Sequence, residues 1–307
     1  MTGASQGEPA TRLRERFGRV GVWLGGLGLV PSSRERDVVR RVEELGYGAI
    51  WFGEAFQNRE ALSHAAILLS ATSAIPVATG IANIWARDAA AAVNGANTLN
   101  EAFPDRFLLG LGVSHAPIVN PRGHEYARPL AAMRAYLDAM DAHDYTAPAP
   151  EHPPARVLAA LRPRMLELAA ERAAGAHPYF VPPGHTRRAR ERLGAGPFLA
   201  PEQAVVLESD PTRARELARR HMRVYLHLPN YLDNLRTLGF DDGDLADGGS
   251  DRLVDAIVAW GDVDAIVRRV REHIEAGADH VPIQAIAESS DGALDVLAEI
   301  AGPLRGL

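Results

Sequence analysis

The chain has 307 residues, of which 47% are hydrophobic and 23% are charged, a composition typical of soluble globular proteins. Its formal net charge of -6 argues against nucleic-acid binding, which needs a basic surface. The sequence contains neither cysteine nor lysine, so disulfides, thiolate nucleophiles, zinc–cysteine sites and Schiff-base catalysis are excluded.

The N-terminal segment and the hydropathy pattern predict where the protein acts. Residues 1–17 are rich in charge and lack an apolar segment, so they are interpreted as a flexible tail rather than a secretory signal. No stretch approaches ~20 consecutive apolar residues, so no membrane-spanning helix is expected. We therefore expect a cytoplasmic protein in which residues 18–307 form a single domain. The eleven histidines show no metal-binding spacing, and no metal site is expected.

Apolar, strand-like segments alternate with helix-like segments, the pattern of parallel β-α-β units. The predicted strands cover residues 19–24, 49–52, 77–82, 107–112, 156–161, 177–181, 204–207 and 281–286. The predicted helices cover residues 33–45, 60–73, 89–102, 129–143, 163–175 and 186–193. The first four strands begin about 30 residues apart, which is the length of a strand and its returning helix. Eight such strands predict an α/β fold, a (β/α)8 TIM barrel.

Two features refine this fold prediction. Residues 25–28, Gly-Gly-Leu-Gly, follow the first strand but lack the GxGxxG spacing of a dinucleotide-binding sheet, which weakens the alternative of a doubly wound fold. Roughly 70 residues separate the last two predicted strands, far more than an ordinary connection. We expect this insertion to form a lid or a wall of the substrate pocket.

Barrel enzymes carry their chemistry where the strands end. Six side chains at the predicted strand ends are suited to hold a planar ligand: Trp23, Phe56, Trp85, Asn83, Ser114 and Gln284. The aromatic ones offer flat apolar faces, and the polar ones can bond carbonyls and ring nitrogens. We assign Trp23, Phe56, Trp85 and Gln284 to the substrate pocket. Trp23 and Trp85 also fit a purely structural role in the core.

Glu54 and His115 are the two groups at the strand ends that can transfer protons. Histidine titrates near neutral pH, which suits His115 to general acid–base catalysis. The alternative for His115 is a hydrogen bond that fixes its loop. The alternative for Glu54 is a structural carboxylate that accepts backbone N–H bonds. Gly184 and its neighbours precede a helix and can leave N–H groups free for a phosphate.

Several segments resemble the luciferase-like superfamily. Residues 46–54, 78–87, 106–112 and 157–165 are similar to its second to fifth strands, in order and spacing. Residues 112–117, Gly-Val-Ser-His-Ala-Pro, resemble a mainly actinobacterial subgroup of F-420-dependent oxidoreductases. The resemblance covers residues 18–199 well and the remainder loosely.

The resemblance implies a homodimeric barrel that binds coenzyme F-420, an 8-hydroxy-5-deazaflavin, over the strand ends. It implies a cis peptide bond between Gly80 and Ile81. Residues carried over to line the cofactor are Glu54, Gly80, Ile81, Asn83, Ala159 and Ala160, and we add Ser114 as a hydrogen-bonding residue. The tail phosphate is expected near Pro183, Gly184 and His185.

Two departures from the residues of known superfamily members narrow the class of substrate that is expected. Sugar-phosphate dehydrogenases of the superfamily have a catalytic histidine where Ala55 stands and a catalytic glutamate where His115 stands. A sugar-phosphate substrate is therefore not expected. The leading hypothesis is an F-420-dependent oxidoreductase that moves a hydride to or from a small organic substrate. The alternatives are an FMN-dependent monooxygenase of the same fold and a non-catalytic flavin-binding protein.

Overall fold

The computed structural model describes residues 7–307, in which α-helices and parallel strands alternate. The helices are α1 (Gly7–Phe17), α2 (Ser32–Glu44), α3 (Ala61–Ala71), α4 (Ala89–Ala102), α5 (Ala116–Val119), α6 (Pro129–Asp141), α7 (Pro163–Arg172), α8 (Pro183–Leu193), α9 (Pro211–Met222), α10 (Pro229–Thr237), α11 (Asp242–Leu245), α12 (Asp251–Ile257), α13 (Val263–Glu275) and α14 (Ser290–Leu304). The strands are β1 (Val20–Trp23), β2 (Ile50–Gly53), β3 (Val77–Asn83), β4 (Phe107–Gly112), β5 (Arg156–Leu158), β6 (Gly175–Ala176), β7 (Phe198–Leu199), β8 (Gln203–Leu207), β9 (Val258–Gly261) and β10 (Val281–Ala285).

The strands form one parallel sheet in the order β7-β6-β5-β4-β3-β2-β1-β10-β8-β9. The sheet closes because the Asp279 N–H, just before β10, donates to the carbonyl of Leu199 in β7 at 2.8 Å. β7 and β8 together occupy the seventh barrel position, and β9 adds to the outer side of β8. The predicted parallel barrel is confirmed, whereas β9 was not predicted.

Side chains alternate along the barrel strands between its interior and the surrounding helices. Trp51 and Leu108 belong to the apolar cluster inside the barrel. Their chain neighbours Ile50, Phe52 and Leu109 belong to the cluster between strands and helices. The long insertion forms α9–α12 between β8 and β9.

The interpretation of residues 1–17 as a flexible tail is wrong for residues 7–17, which form α1. Ala10, Leu13 and Phe17 are buried, at the spacing of one helix face. The Phe17 ring packs against Trp51 and Phe198, with ring centres 5.7 and 5.9 Å apart. Residues 1–6 lie outside the described part of the chain.

The sixth strand is shorter than predicted, and it precedes the predicted segment 177–181. Only Gly175 and Ala176 pair on both sides of β6. Pro178 has no N–H to continue the ladder, and Phe180 has a positive φ of 60° that turns the chain away. The side chains of this segment therefore leave the regular alternation of a strand.

β3 carries a bulge where the resemblance implied a cis peptide bond, but its peptide bonds are trans. Residues 7–307 contain none, so the cis bond expected between Gly80 and Ile81 is wrong. Gly80 instead adopts a positive φ of 27°, and the pairing of β3 with β4 shifts register between Ala78 and Ala82. Glycine permits this conformation at little steric cost.

Candidate active site

A cavity of about 660 Å³, here named the main cavity, opens at the carboxyl ends of β3 to β6. Its lining consists of Ile81 and residues 112–115, 126, 128–131, 159–165, 177, 179 and 230–231. Asn230 and Tyr231 belong to α10, so the insertion contributes a wall of the cavity as expected. This end of the barrel and this volume are typical of small-molecule sites.

The floor of the main cavity is apolar and built from small residues. A Cβ on Gly112 would lie 2.5 Å from Cγ2 of Ile81 and 3.4 Å from Cβ of Ala159. A Cβ on Gly80, one layer below, would lie 2.5 Å from the Trp23 indole. Because neither glycine can carry a side chain, no side chain rises from these positions, and the floor stays flat enough for a planar ring to lie on it. Ile81, Ala159 and Ala160, which the resemblance assigned to the cofactor, line the main cavity, whereas Gly80 does not.

His115 and Ser114 also reach the main cavity, as predicted. The His115 ring packs against Tyr231 of α10, with ring centres 5.3 Å apart. Burial lowers the pKa of His115 below its ordinary value, so the neutral imidazole dominates at neutral pH. Its side chain does not cap the adjoining α5. Ser114 has a positive φ of 58°, which turns the chain at the cavity edge.

Glu54 lies beside the main cavity and is absent from its lining. Its carboxylate accepts the N–H groups of Asn83 at 2.8 Å and Ala61 at 3.2 Å, and it forms an ion pair with Arg87. Arg87 also pairs with Glu60 at 2.7 Å. The Glu54 side chain is only 3% exposed. These contacts match the structural alternative for Glu54, and we name this network the Glu54 corner.

Three other predicted residues, Asn83, Trp85 and Phe56, do not line the main cavity either. Asn83 Oδ1 accepts the backbone N–H of Trp85 at 3.0 Å, while its Nδ2 is buried with no partner among residues 7–307. The Trp85 indole N–H donates to the Val113 carbonyl at 3.0 Å and ties two loops together. Phe56 is 41% exposed, with the Arg122 guanidinium 4.8 Å from its ring centre.

Trp23 and Gln284 line a second cavity of about 390 Å³ between β1 and β10. The wall between the two cavities contains Tyr179, whose hydroxyl donates to Gln284 Oε1 at 2.7 Å. The hydroxyl oxygens of Tyr179 and Tyr225 are 2.7 Å apart. None of the four predicted substrate residues therefore lines the main cavity: Trp23 and Gln284 line the second cavity, and Trp85 and Phe56 line neither.

Pro183, Gly184 and His185 begin α8 and line neither cavity. His185 is buried, and its Nε2 donates to the Leu161 carbonyl at 2.7 Å, which fixes a connection behind the cavity wall. Its Nδ1 has no partner in the described part of the chain.

Positive charge gathers instead at Arg128, Arg162 and Arg164, which line the main cavity. They stand at the N-termini of α6 and α7, whose first N–H groups favour anions. Arg162 has a weak exposed ion pair with Asp233 at 3.4 Å. The lining contains no carboxylate. None of these three arginines was predicted as a site residue; the run Arg-Pro-Arg at residues 162–164 was the available signal.

His177 lies at the floor of the main cavity and was missed, because it was assigned to the start of the predicted strand 177–181, away from the strand ends where the site was expected. Its ring stacks between Trp23 and Trp51, with centres 5.1 and 4.8 Å away and planes inclined by 16° and 22°. Nδ1 lies 2.7 Å from the carbonyl of Ala200. Burial lowers the pKa of His177 to about 4.

Glu202 supports the turn that carries Tyr179. Its Oε2 accepts the N–H of Phe180 at 3.3 Å, and its own N–H donates to the Pro178 carbonyl at 2.9 Å. Oε1 has no partner within residues 7–307. Burial raises the pKa of Glu202 to about 8, so its carboxyl is mostly protonated at neutral pH.

Neither a metal centre nor a membrane span is found in residues 7–307. No three His, Asp or Glu side chains there are arranged to hold a metal ion. No helix in this range combines the length and apolar character needed to cross a bilayer.

Comparisons with known proteins agree with this architecture. The family described as luciferase-like monooxygenase matches residues 17–280. A Mycobacterium tuberculosis protein, named provisionally as a coenzyme F-420-dependent oxidoreductase, is 30% identical over 121 residues, 39% of this chain and 35% of that protein. A 5,10-methylenetetrahydromethanopterin reductase of Archaeoglobus fulgidus is 22% identical over 83% of this chain and 91% of that one. The chain thus spans about a third of the first relative's length.

The fold is shared with a solved F-420-dependent secondary alcohol dehydrogenase in complex with an F-420–acetone adduct. The two chains superpose with a TM-score of 0.76 at 14% sequence identity. The superposition covers 94% of this chain and 99% of the other. This similarity concerns the barrel as a whole.

Proposed function

The chain belongs to the luciferase-like monooxygenase family, and from this premise we propose that it is a coenzyme F-420-dependent oxidoreductase acting on a small organic substrate. The observation that carries the proposal is the charge of the main cavity. In a chain of net charge -6, its lining has three arginines and no carboxylate. F-420 combines a planar ring with a long polyanionic tail, and the cavity offers a partner to each.

The residues fit the ring as well as the tail. The floor of Ile81, Gly112 and Ala159 accepts a flat apolar surface, and the buried Nε2 of His177 lacks a partner in the described residues. Arg128, Arg162 and Arg164 would hold the phosphate and the acidic tail. This replaces Pro183, Gly184 and His185 as our proposal for the phosphate contacts.

His115 is the proposed catalytic proton-transfer group. When bound, the deazaflavin supplies or accepts a hydride, and the polar atom of the substrate must gain or lose a proton at the same time. The neutral imidazole of His115 is able to take that proton as a substrate is oxidised and to release it to solvent. When a substrate is reduced, His115 first takes a proton from solvent and then passes it to the polar atom of the substrate. Ile81 and Tyr231 would hold the substrate carbon near the ring and exclude water. Glu54 contributes indirectly, by fixing the ends of β2 and β3.

Binding of F-420 and FMN to the purified protein tests the proposal directly. We expect F-420 to bind at least ten times more tightly than FMN, with an affinity that falls as salt increases, because its tail adds negative charges. Turnover of reduced F-420 with enone and imine acceptors then tests for catalysis. Binding of F-420 without any turnover or His115 dependence would favour a non-catalytic flavin-binding protein.

FMN-dependent monooxygenation is the second candidate, and the description of the family itself favours it. The same floor accepts the FMN ring, and one phosphate can occupy the arginines. Tighter binding of FMN than of F-420, with oxygen consumption by the reduced complex, would establish this function instead.

We also propose that residues 18–307 act as one domain, because the sheet runs continuously through them. The resemblance further suggests a homodimer. Light scattering of the eluting protein distinguishes 33.1 kDa for the monomer from twice that mass.

A further inference from the structure

His177 is held in one orientation and in one protonation state. The two flanking indoles fix the plane of its ring. The Ala200 carbonyl, 2.7 Å from Nδ1, can only accept a hydrogen bond, so Nδ1 carries the proton. Since burial keeps the ring neutral, Nε2 is a bare acceptor.

This acceptor has no partner among residues 7–307, although His177 is fully buried. Most buried polar atoms in proteins are hydrogen-bonded, and leaving one unsatisfied costs stability. His177 also lines the main cavity next to Gly80, where an added Cβ would lie 3.3 Å from Cδ2 of the imidazole. The absence of a side chain at residue 80 thus leaves room beside this edge of the imidazole.

A ligand that satisfies Nε2 must bring a donor to the floor of the cavity. The apolar floor around it suits a planar ring, and the pyrimidine end of deazaflavins and flavins carries ring N–H groups. We propose that Nε2 of His177 accepts a hydrogen bond from a ring N–H of the bound cofactor and thereby fixes its orientation on the floor. This inference rests on the proposed function, since it requires a cofactor of this kind.

Nitrogen NMR of protein labelled with ¹⁵N-histidine tests the hydrogen bond without relying on activity. In the ligand-free protein, we expect a protonated Nδ1 and an unprotonated, unbonded Nε2 for His177. Addition of F-420 should move the Nε2 resonance upfield. His221 is an internal control, because its buried Nε2 also lacks a partner in the described chain but lies outside both cavities. Its resonance should not move.

Equilibrium binding of F-420 gives a second measure. His177→Asn retains an N–H near the Nδ1 position but removes the acceptor, so affinity should fall about 10-fold. The matched variant His221→Asn should bind like the wild type. Circular dichroism identifies a variant that has lost its fold, and the wild-type spectra decide the question in that event.

The outcomes separate this inference from the proposed function. A shifted Nε2 with weaker binding of His177→Asn supports it. Binding of F-420 with an unmoved Nε2 overturns it and leaves the proposed function intact. An Nε2 already hydrogen-bonded in the ligand-free protein identifies a buried water as its partner and also overturns it. Failure of both F-420 and FMN to bind overturns the proposed function and this inference together.

Discussion

The Glu54 corner and the main cavity lie side by side at the same end of the barrel, but the polar atoms of Glu54 and of the cavity residue His177 differ in how far they are hydrogen-bonded. In the corner, the Glu54 carboxylate accepts two backbone N–H groups and pairs with Arg87. At the cavity, the buried Nε2 of His177 has no partner within residues 7–307, and neither has Oε1 of Glu202, which supports the turn carrying Tyr179 without lining the cavity.

This difference separates structural roles from ligand-binding roles. A buried charge whose contacts are all made inside the protein has little left to offer a ligand. Unsatisfied groups around a cavity are available to one. The most prominent acidic residue of the family-like motif, Glu54, therefore makes its contacts within the scaffold, whereas His177 lines the cavity with an unpartnered atom.

The largest expected effect concerns Glu202, the carboxyl without a charged partner. Its pKa is about 8 in the folded protein and 4.5 ordinarily, so between these values the folded state binds more protons than the unfolded state. The free energy of unfolding should therefore fall as pH rises from 4.5 to 8 and level off above. At ~1.4 kcal/mol per pH unit, the full difference is on the order of 5 kcal/mol.

Urea unfolding of the wild type and Glu202→Gln across this pH range measures that contribution. The glutamine variant shares every other titrating group, including the buried histidines, so the difference between the two curves isolates Glu202. Parallel curves would mean that Glu202 is already ionised in the folded protein, and the contrast with Glu54 would disappear.

Glu54→Ala should destabilise the protein by about 3–5 kcal/mol, because it leaves Arg87 and two buried N–H groups without their main acceptor. The free energy of unfolding in urea at pH 7 is the measurement. Glu171→Ala is a suitable control, because its ion pair with Arg134 is exposed and exposed pairs contribute at most about 1 kcal/mol. Equal losses from the two substitutions would show that the corner is not a special structural network.

His115→Ala should lower turnover about 10²-fold while changing F-420 affinity little, because the proposed role of His115 is proton transfer. Stopped-flow kinetics with reduced F-420 and separate binding titrations distinguish the two effects. Near-wild-type turnover would assign the proton to water or to another residue and leave His115 with a loop-fixing role.

The barrel could be predicted because strand and helix patterns repeat along the chain, but local exceptions could not. α1 was missed because the N-terminal segment was assessed for targeting signals, not for the stripe of Ala10, Leu13 and Phe17. The misplaced sixth strand hid His177, since the positive φ of Phe180 that ends the regular backbone is not visible in the sequence.

The candidate site was predictable only where a strand leads directly into it. Ile81, Ser114, His115, Ala159 and Ala160 lie in the main cavity for this reason. Glu54, Trp85 and Phe56 also follow strands, but tertiary contacts direct their side chains elsewhere. Residues contributed by α6, α7 and the insertion could not be placed, because their approach depends on how distant segments pack.

The smallest expected effect concerns the arginines, the part of the main cavity that faces solvent. Arg128→Ala and Arg164→Ala should each weaken F-420 binding about 10-fold at low salt, because each removes a charge beside a helix N-terminus. Both should also reduce the salt dependence of binding, since fewer charges are then screened. Arg213→Ala, at an exposed position outside both cavities, is the matched control and should change neither the affinity nor its salt dependence.

If the cavity variants bind F-420 with unaltered affinity and salt dependence, the anionic tail lies elsewhere. Residues Pro183–His185 at the start of α8 would then again be the candidate phosphate site. Positive charge would no longer distinguish the main cavity from the Glu54 corner.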